Sequence, residues 1–284
     1  RRQRQMCIRD RKLGWQLRAN TIKISAKELK KRLEEKYGKV EQENFFREAF
    51  FVQSNENLSK SLEHVLGYFF LQNFYSMIPP LILDPRDEPI LDLAAAPGAK
   101  TTQIAAIMEN RGIIVANDVS YKRLKALRGN LQRCGVINTI VTKFDGRIFF
   151  KLGFSFDKIL LDTPCSATGL LSPRILEATS ESSIKKLSNI QKSLILSAHR
   201  CLKREGVLVY STCSLEPEEN EEVIDYAIKK LGFEVEEIKL RNVNYVNGLT
   251  EWQGRTFDDS VSKAIRIIPN GIFEGFFVCK LIKY

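Results

Sequence analysis

From Pro89 onward the chain alternates short, continuously apolar runs with segments whose apolar residues recur every three or four positions. ILDLA (90–94), GIIVAND (112–118), TIVTKF (139–144), FDKILLD (156–162) and GVLVYST (206–212) read as strands. Between them lie predicted helices over 99–110, 120–134 and about 183–203, and Pro217 opens another. Leu124, Leu127, Leu131 and Cys134 form one apolar face, and Leu187, Ile190, Leu194, Ala198 and Cys201 another. A strand that is apolar on both sides must be covered on both faces. This pattern therefore predicts a parallel sheet wrapped by helices, an α/β fold.

The preceding stretch has a different rhythm. LRANTIKI (17–24) alternates as a strand, and Ser25 followed by Glu28 predicts a capping box. The helix it opens carries Leu29 and Leu33 and stops at Gly38, and REAFFVQ (47–53) is a further strand. Pro79-Pro80 and DPRDEP (84–89) mark a boundary. We divide the chain into an extension at 1–12, an N-terminal α+β domain at 13–75 and a catalytic domain at 76–284. The extension, RRQRQMCIRDRK, has neither apolar period nor signal-peptide pattern, and its MCIRDR resembles translated adapter sequence, so it is set aside as non-native or disordered. It carries six basic residues and one acidic, half of the net charge of +10. The remainder, 38 basic against 33 acidic, is close to an ordinary surface that a polyanion would also suit. The most apolar stretch, 66–83, is broken by Gln72, Asn73, Ser76 and two prolines, which excludes a membrane span.

In a sheet of this kind ligands sit beyond the carboxyl ends of the strands. The first strand runs into Ala94, Ala95, Ala96, Pro97, Gly98, Ala99 and Lys100. A nicotinamide enzyme would need G-x-G-x-x-G there to approach a pyrophosphate, and one glycine among alanines encodes no such site. Asp118 ends the second strand, Asp145 follows the third and Asp162 ends the fourth. One strand-end Asp caps a helix as often as it binds anything. Three in succession, beside small residues, suit a ligand with ribose, adenine and cationic groups, as S-adenosylmethionine has. Cys165 and Cys213 also follow strands, whereas Cys134, Cys201 and Cys279 lie on apolar faces as inert thiols. No C-x-x-C pair and no His spacing suggests a metal, and His64 and His199 read as structural.

From about Tyr68 the sequence resembles the RNA (cytosine-5) methyltransferases of the Sun/Nop2 (RsmB/NOP) family, in particular compact archaeal-type tRNA members. The resemblance is carried by Gln72 with SMIPP (76–80), LDLAAAPGAKTTQ (91–103), Asp118 with Arg123, FDG (144–146), DTPCSATG (162–169) and YSTCSLEPEENEEVI (210–224). It implies a class I, Rossmann-like fold with a mostly parallel seven-stranded sheet, and an RNA-recognition-like N-terminal unit. It implies S-adenosylmethionine held by 94–100, Asp118, Arg123, Asp145 and Asp162. Cys213 would be the nucleophile that adds to C6 of cytosine, Asp162 the group on the N3/N4 edge, and Cys165 the thiol that assists release. Lys100 is the nearest cation by motif for lowering a thiol pKa.

RNA is the expected partner, tRNA ahead of rRNA, contacted by Lys122, Lys125, Arg128 and Arg133, with Phe45, Phe46, Phe50 and Phe51 either stacking bases or filling a core. A monomeric cytoplasmic enzyme of class EC 2.1.1 is expected, without a metal or a membrane. Two other readings remain: an amino-methyltransferase on the same fold, which leaves Cys213 unexplained, and a non-catalytic RNA-binding scaffold.

Overall fold

The computed structural model describes residues 14–269 and 274–284; the 1–12 extension lies outside them. Two sheets organise the chain. The first has the order β2-β3-β1-β4, from β1 (Trp15–Ala19), β2 (Val40–Gln42), β3 (Ala49–Val52) and β4 (Phe69–Leu71), all antiparallel. Helix α1 (Ala26–Tyr37) covers one face, burying Leu29 and Leu33 against Leu17, Phe50, Val52 and Phe69. The strand expected over 17–24 is shorter. Asn20 accepts from the backbone N–H groups of Lys23 and Ile24, turning the chain into the Ser25 cap. Ser25 Oγ accepts from the Glu28 N–H, but the Glu28 carboxylate pairs with Arg32, so half of the expected capping box forms. Short helices α2 (Leu62–Val65) and α3 (Ile78–Leu83) lead to the second sheet.

Its parallel centre is β7 (Thr139–Thr142), β6 (Ile114–Asn117), β5 (Ile90–Asp92), β8 (Phe156–Asp162) and β9 (Leu202–Thr212), in that spatial order. Antiparallel β15 (Phe276–Lys283) adds to β9, and β10 (Phe233–Glu236) pairs with the end of β15. These seven strands are the expected sheet. Two more, β14 (Ile265–Ile267) and β11 (Val246–Asn247), extend the edge at the start of β15, and β12 (Glu251–Trp252) with β13 (Arg255–Thr256) forms a separate hairpin.

Helices α4 (Ala99–Ile107), α5 (Tyr121–Cys134), α6 (Pro173–Ala178), α7 (Glu181–Cys201) and α8 (Glu221–Leu231) complete the chain. Ile159, Leu161, Leu208 and Tyr210 pack with Leu194, Ala198, Val223 and Ala227 of α7 and α8. Their neighbours Leu160 and Val209 face the other way, onto Leu83, Ile104 and Met108. Both faces are covered, which is why these strands carry no polar alternation.

Three helix ends differ from expectation. Helix α4 stops at Ile107 because Glu109 and Asn110 take positive φ. Helix α7 starts at Glu181, where Ser180 and Ser183 make a reciprocal capping box, and ends as Leu202 enters β9. Pro217 lies in a turn, and α8 begins four residues later.

The N-terminal sheet is tied into the larger one through buried polar groups. Arg18, fully buried, donates from Nε to Gln72 Oε1 at 2.9 Å and from Nη2 to Thr102 Oγ1 at 2.9 Å, reaching the first turns of α4. Asn20 Nδ2 and Lys23 Nζ donate to the carbonyls of Cys134 and Arg133, which the end of α5 leaves without helical partners. Removing such a buried donor strands its acceptors. Arg18→Met is therefore expected to lower stability by about 2–3 kcal/mol in urea melts and to weaken cofactor binding. An unchanged melt would show that the contact carries no load.

Candidate active site

The C-terminal ends of β5, β8 and β9 open onto a cavity of about 340 Å3. Ala94, Ala95, Ala96, Pro97, Ala99 and Lys100 line it, together with Asp92, Asp162, Thr163, Cys213 and Phe276. The loop of small residues turns into α4 at Gly98, whose φ is +102° and whose missing side chain leaves room for Leu127 Cδ1, 2.7 Å from where a Cβ would stand. Any other residue would be strained there and would push α5 away.

Asp118 is buried and accepts from the Ser120 N–H at 2.8 Å. Its Oδ2 makes no hydrogen bond, although Arg123 Nη1 stands 3.2 Å away as an ion-pair partner. Distance alone does not align a guanidinium N–H with the oxygen, so an acceptor remains for a hydroxyl donor. Arg123 also donates to the carbonyl of Ala96, linking the Asp118 turn to the small-residue loop. A buried acceptor beside a loop of alanines fits a ribose-bearing cofactor. Asp145, by contrast, caps the next turn through the Arg147 N–H and pairs with the Arg147 guanidinium, which holds its carboxyl below the usual range. Neither Asp118, Arg123 nor Asp145 lines the cavity that holds Cys213.

Asp162 is fixed on both oxygens. Ser211 Oγ donates to Oδ1 at 2.8 Å, and Lys100 Nζ to Oδ2 at 2.6 Å. Lys100 also donates to Ser76 Oγ at 2.9 Å and lies over the Phe276 ring. Lys100, expected from the motif as the cation nearest a thiol, pairs here with the Asp162 carboxylate. Cys165 is pushed well above the ordinary thiol range, by its hydrogen bond with Cys213 and then by burial. Lys100 serves the carboxylate.

The two cysteines do meet. Sγ of Cys165 and Sγ of Cys213 are 3.3 Å apart, and Cys213 is the one that lines the cavity. Parallel pairing brings them together, because Asp162 of β8 stands opposite Ser211 of β9. Gly169 donates its N–H to the Cys213 carbonyl, and a Cβ on Gly169 would sit 2.6 Å from that oxygen, so the two loops can be this close only over a glycine. Cys134, Cys201 and Cys279 are buried, as expected.

Some important residues escaped the sequence. Glu219, given no role in the YSTCSLEPEENEEVI motif, is fully buried and accepts from Ser166, Ser214 and Gln191. Glu221 of the same run forms a buried pair with Arg266 at 2.6 Å. Of the expected RNA-contact residues, Arg133 donates to the carbonyls of His64 and Phe69 and so serves the fold. Phe50 and Phe51 are buried, and Phe45 packs edge-on against Phe74, the core alternative. His64 and His199 pack on Phe69 and Phe233. Among the described residues no cluster of His, Cys, Asp and Glu is arranged to hold a metal, and no helix is long and apolar enough to cross a membrane.

Comparison with known proteins agrees with this geometry. Residues 80–282 match the family model described as 16S rRNA methyltransferase RsmB/F. This chain belongs to that family. A tRNA (cytosine(49)-C(5))-methyltransferase from Pyrococcus abyssi is 43% identical, over 94% of this chain and 87% of the relative. The ribosomal RNA small subunit methyltransferase F of Pectobacterium carotovorum is 40% identical over 96% of this chain, which spans 57% of that protein. The crystal structure of NSun6 from Pyrococcus horikoshii with SFG, an analogue of S-adenosylmethionine, superposes with a TM-score of 0.86 at 26% identity, covering 99% of this chain and 94% of that one. The RsmB/F members are methyltransferases of class EC 2.1.1, and their cofactor is S-adenosylmethionine.

Asp92 gives a test by pH. Burial pushes its carboxyl up from 3.8 to about 7, partly offset by the hydrogen bond from Thr101 Oγ1. An acid that holds its proton better folded than unfolded adds stability that is full below about pH 4 and lost as the pH rises to about 7. Asp92→Asn keeps an acceptor for Thr101 and cannot ionise. Without cofactor, it is expected to gain about 2–3 kcal/mol more over wild type at pH 8 than at pH 5 in denaturant melts. Equal gains at both would place the titration elsewhere.

Proposed function

We propose that this chain methylates C5 of cytosine in RNA through a covalent bond between Cys213 and C6 of the base. The observation that carries this reading is the meeting of two thiols, 3.3 Å apart, at the ends of adjacent parallel strands, one of them facing the cavity. C5 of cytosine is a poor nucleophile until something adds to C6. Cys213, the cavity-facing thiol, would make that addition. Asp162 presents its carboxylate in the same cavity, orientated by Ser211 and Lys100, to hydrogen-bond the N3/N4 edge and share a proton with it. S-adenosylmethionine supplies an electrophilic methyl group on a sulfonium. Asp118 would hold its ribose, with Ala94 to Ala99 leaving room for the rest, and Arg123 and Asp145 would shape the far side.

Release requires loss of the C5 proton and departure of the Cys213 sulfur. Cys165 touches that sulfur, and its raised pKa keeps a proton available to hydrogen-bond the departing thiolate. The amino-methyltransferase and scaffold readings leave this pair without a purpose. A tRNA substrate is favoured over rRNA by the fuller match to the Pyrococcus tRNA enzyme than to the bacterial rRNA enzyme. The target base must leave its stack to enter the cavity, at a cost of a few kcal/mol that is smallest where pairing is weak. Lys122, Lys125 and Arg128, on the exposed side of α5, and the N-terminal domain at 13–75 would meet the phosphates.

The thiol roles separate in single variants incubated with substrate RNA and cofactor, then run on a denaturing gel. Cys213→Ala is expected to be inactive with no slow band. Cys165→Ala is expected to transfer the methyl group and stall as a slow band, and the double variant to show none. The reverse pattern would exchange the two roles, and two fully active variants would remove the thiol mechanism.

A further inference from the structure

We propose that Glu219 is a positioning residue that holds the two thiol loops together and gives the thiols different roles, by keeping a buried negative charge against the Cys165 loop. The inference rests on the thiol mechanism above and deepens it.

Glu219 is fully buried, and it is bonded to the residue that follows each cysteine. Ser166 donates its N–H to Oε1 at 3.0 Å and its hydroxyl to Oε2, while the Ser214 hydroxyl donates to Oε2 at 2.5 Å. Gln191 of α7 donates from Nε2 to Oε1 at 3.1 Å and also to the carbonyl of Pro164 at 3.0 Å, the residue before Cys165. The Ser166 N–H and the Gln191 amide must donate, and the two hydroxyls can, which suits a carboxylate, an acceptor only. Among the described residues no Lys or Arg forms an ion pair with it, unlike its neighbour Glu221, which has Arg266.

That difference is informative. A buried charge costs several kcal/mol in lost hydration, and hydrogen bonds alone return part of it. Two loops can be joined without a charge, and here they already are: Thr168 Oγ1 accepts from the Leu215 N–H, and Gly169 donates to Cys213. What the charge adds is electrostatic. It disfavours a second negative charge close by, and the nearest ionisable neighbour on that loop is the Cys165 thiol, where the Glu219 field acts in the same direction as burial and the Cys213 contact. Cys213 on the cavity side is then free to carry the nucleophilic charge, while Cys165 behind it stays a proton donor.

The test uses the full chain with Glu219→Gln, which keeps the shape and removes the charge, and Glu219→Asp, which keeps the charge on a shorter arm. Alkylation of Cys165 by iodoacetamide is followed against pH by site-resolved mass spectrometry, without RNA, beside methyl-transfer kinetics and thermal melts. For a folded Glu219→Gln, the Cys165 alkylation midpoint is expected to fall below that of wild type. Its kcat is expected to fall about 100-fold with the KM for RNA within about threefold. Glu219→Asp is expected to keep the wild-type alkylation midpoint and recover part of kcat. A wild-type Cys165 midpoint near the ordinary ~8.5 would overturn the proposal whether or not the variants fold. An unchanged Cys165 profile in Glu219→Gln, whether or not activity falls, would also overturn it. A wild-type chain that alkylates as expected but never forms an RNA adduct would instead overturn the thiol mechanism, and with it the catalytic half of this inference.

Discussion

The parallel pairing of β8 with β9 is the constraint on which the rest of the site depends. Placing Asp162 opposite Ser211 lets the serine hydroxyl fix the carboxylate and delivers Cys165 and Cys213 to the same point from loops far apart in sequence. The register itself is held from both faces. Leu161 and Tyr210 sit beneath α7 and α8, and Leu160 and Val209 sit over α3 and α4. Slipping one residue would turn each of these side chains to the wrong face, so a hydrophobic core specifies a polar site to within an ångström or two.

Charge in the cavity is handled by pairing and by suppression. Lys100 and Asp162 neutralise one another, with the ammonium further held by Ser76 and the Phe276 ring. Asp92 sits deeper, behind the same loop, and burial pushes its carboxyl up to about 7. With like charges close by, a site such as this favours having few of them ionised at once. The cavity is therefore organised around a small number of well-held charges.

The N-terminal sheet is more than an appendage to the larger one. It has its own core around Leu17, Leu33, Phe50 and Phe69, which makes it a distinct layer. Yet Arg18 reaches the start of α4, Gln72 continues from Arg18 to Gln103 and the Ser76 carbonyl, and Ser76 Oγ receives Lys100. A continuous line of polar contacts, buried at its start and half-buried at its end, thus joins this sheet to the Asp162 carboxylate.

How much of this was legible beforehand follows from what each feature depends on. Continuous apolar runs and three-to-four spacing are local, and they were enough for the wrapped parallel sheet, the strand over 156–162 to the residue, and the apolar faces of the long helices. The strand-end positions of Cys165, Cys213 and Asp162 were equally local, because a parallel sheet presents the ends of its strands to one side. The end of α4 at Ile107 was not, since it turns on positive φ at Glu109 and Asn110. The partner of Lys100, the service of Arg133 to the fold, the burial of Glu219 inside an acidic run and the 3.3 Å between the thiols were decided only by tertiary structure. Periodicity shows which face of an element seeks the core, but which charge finds which partner depends on elements that meet only once the chain has folded.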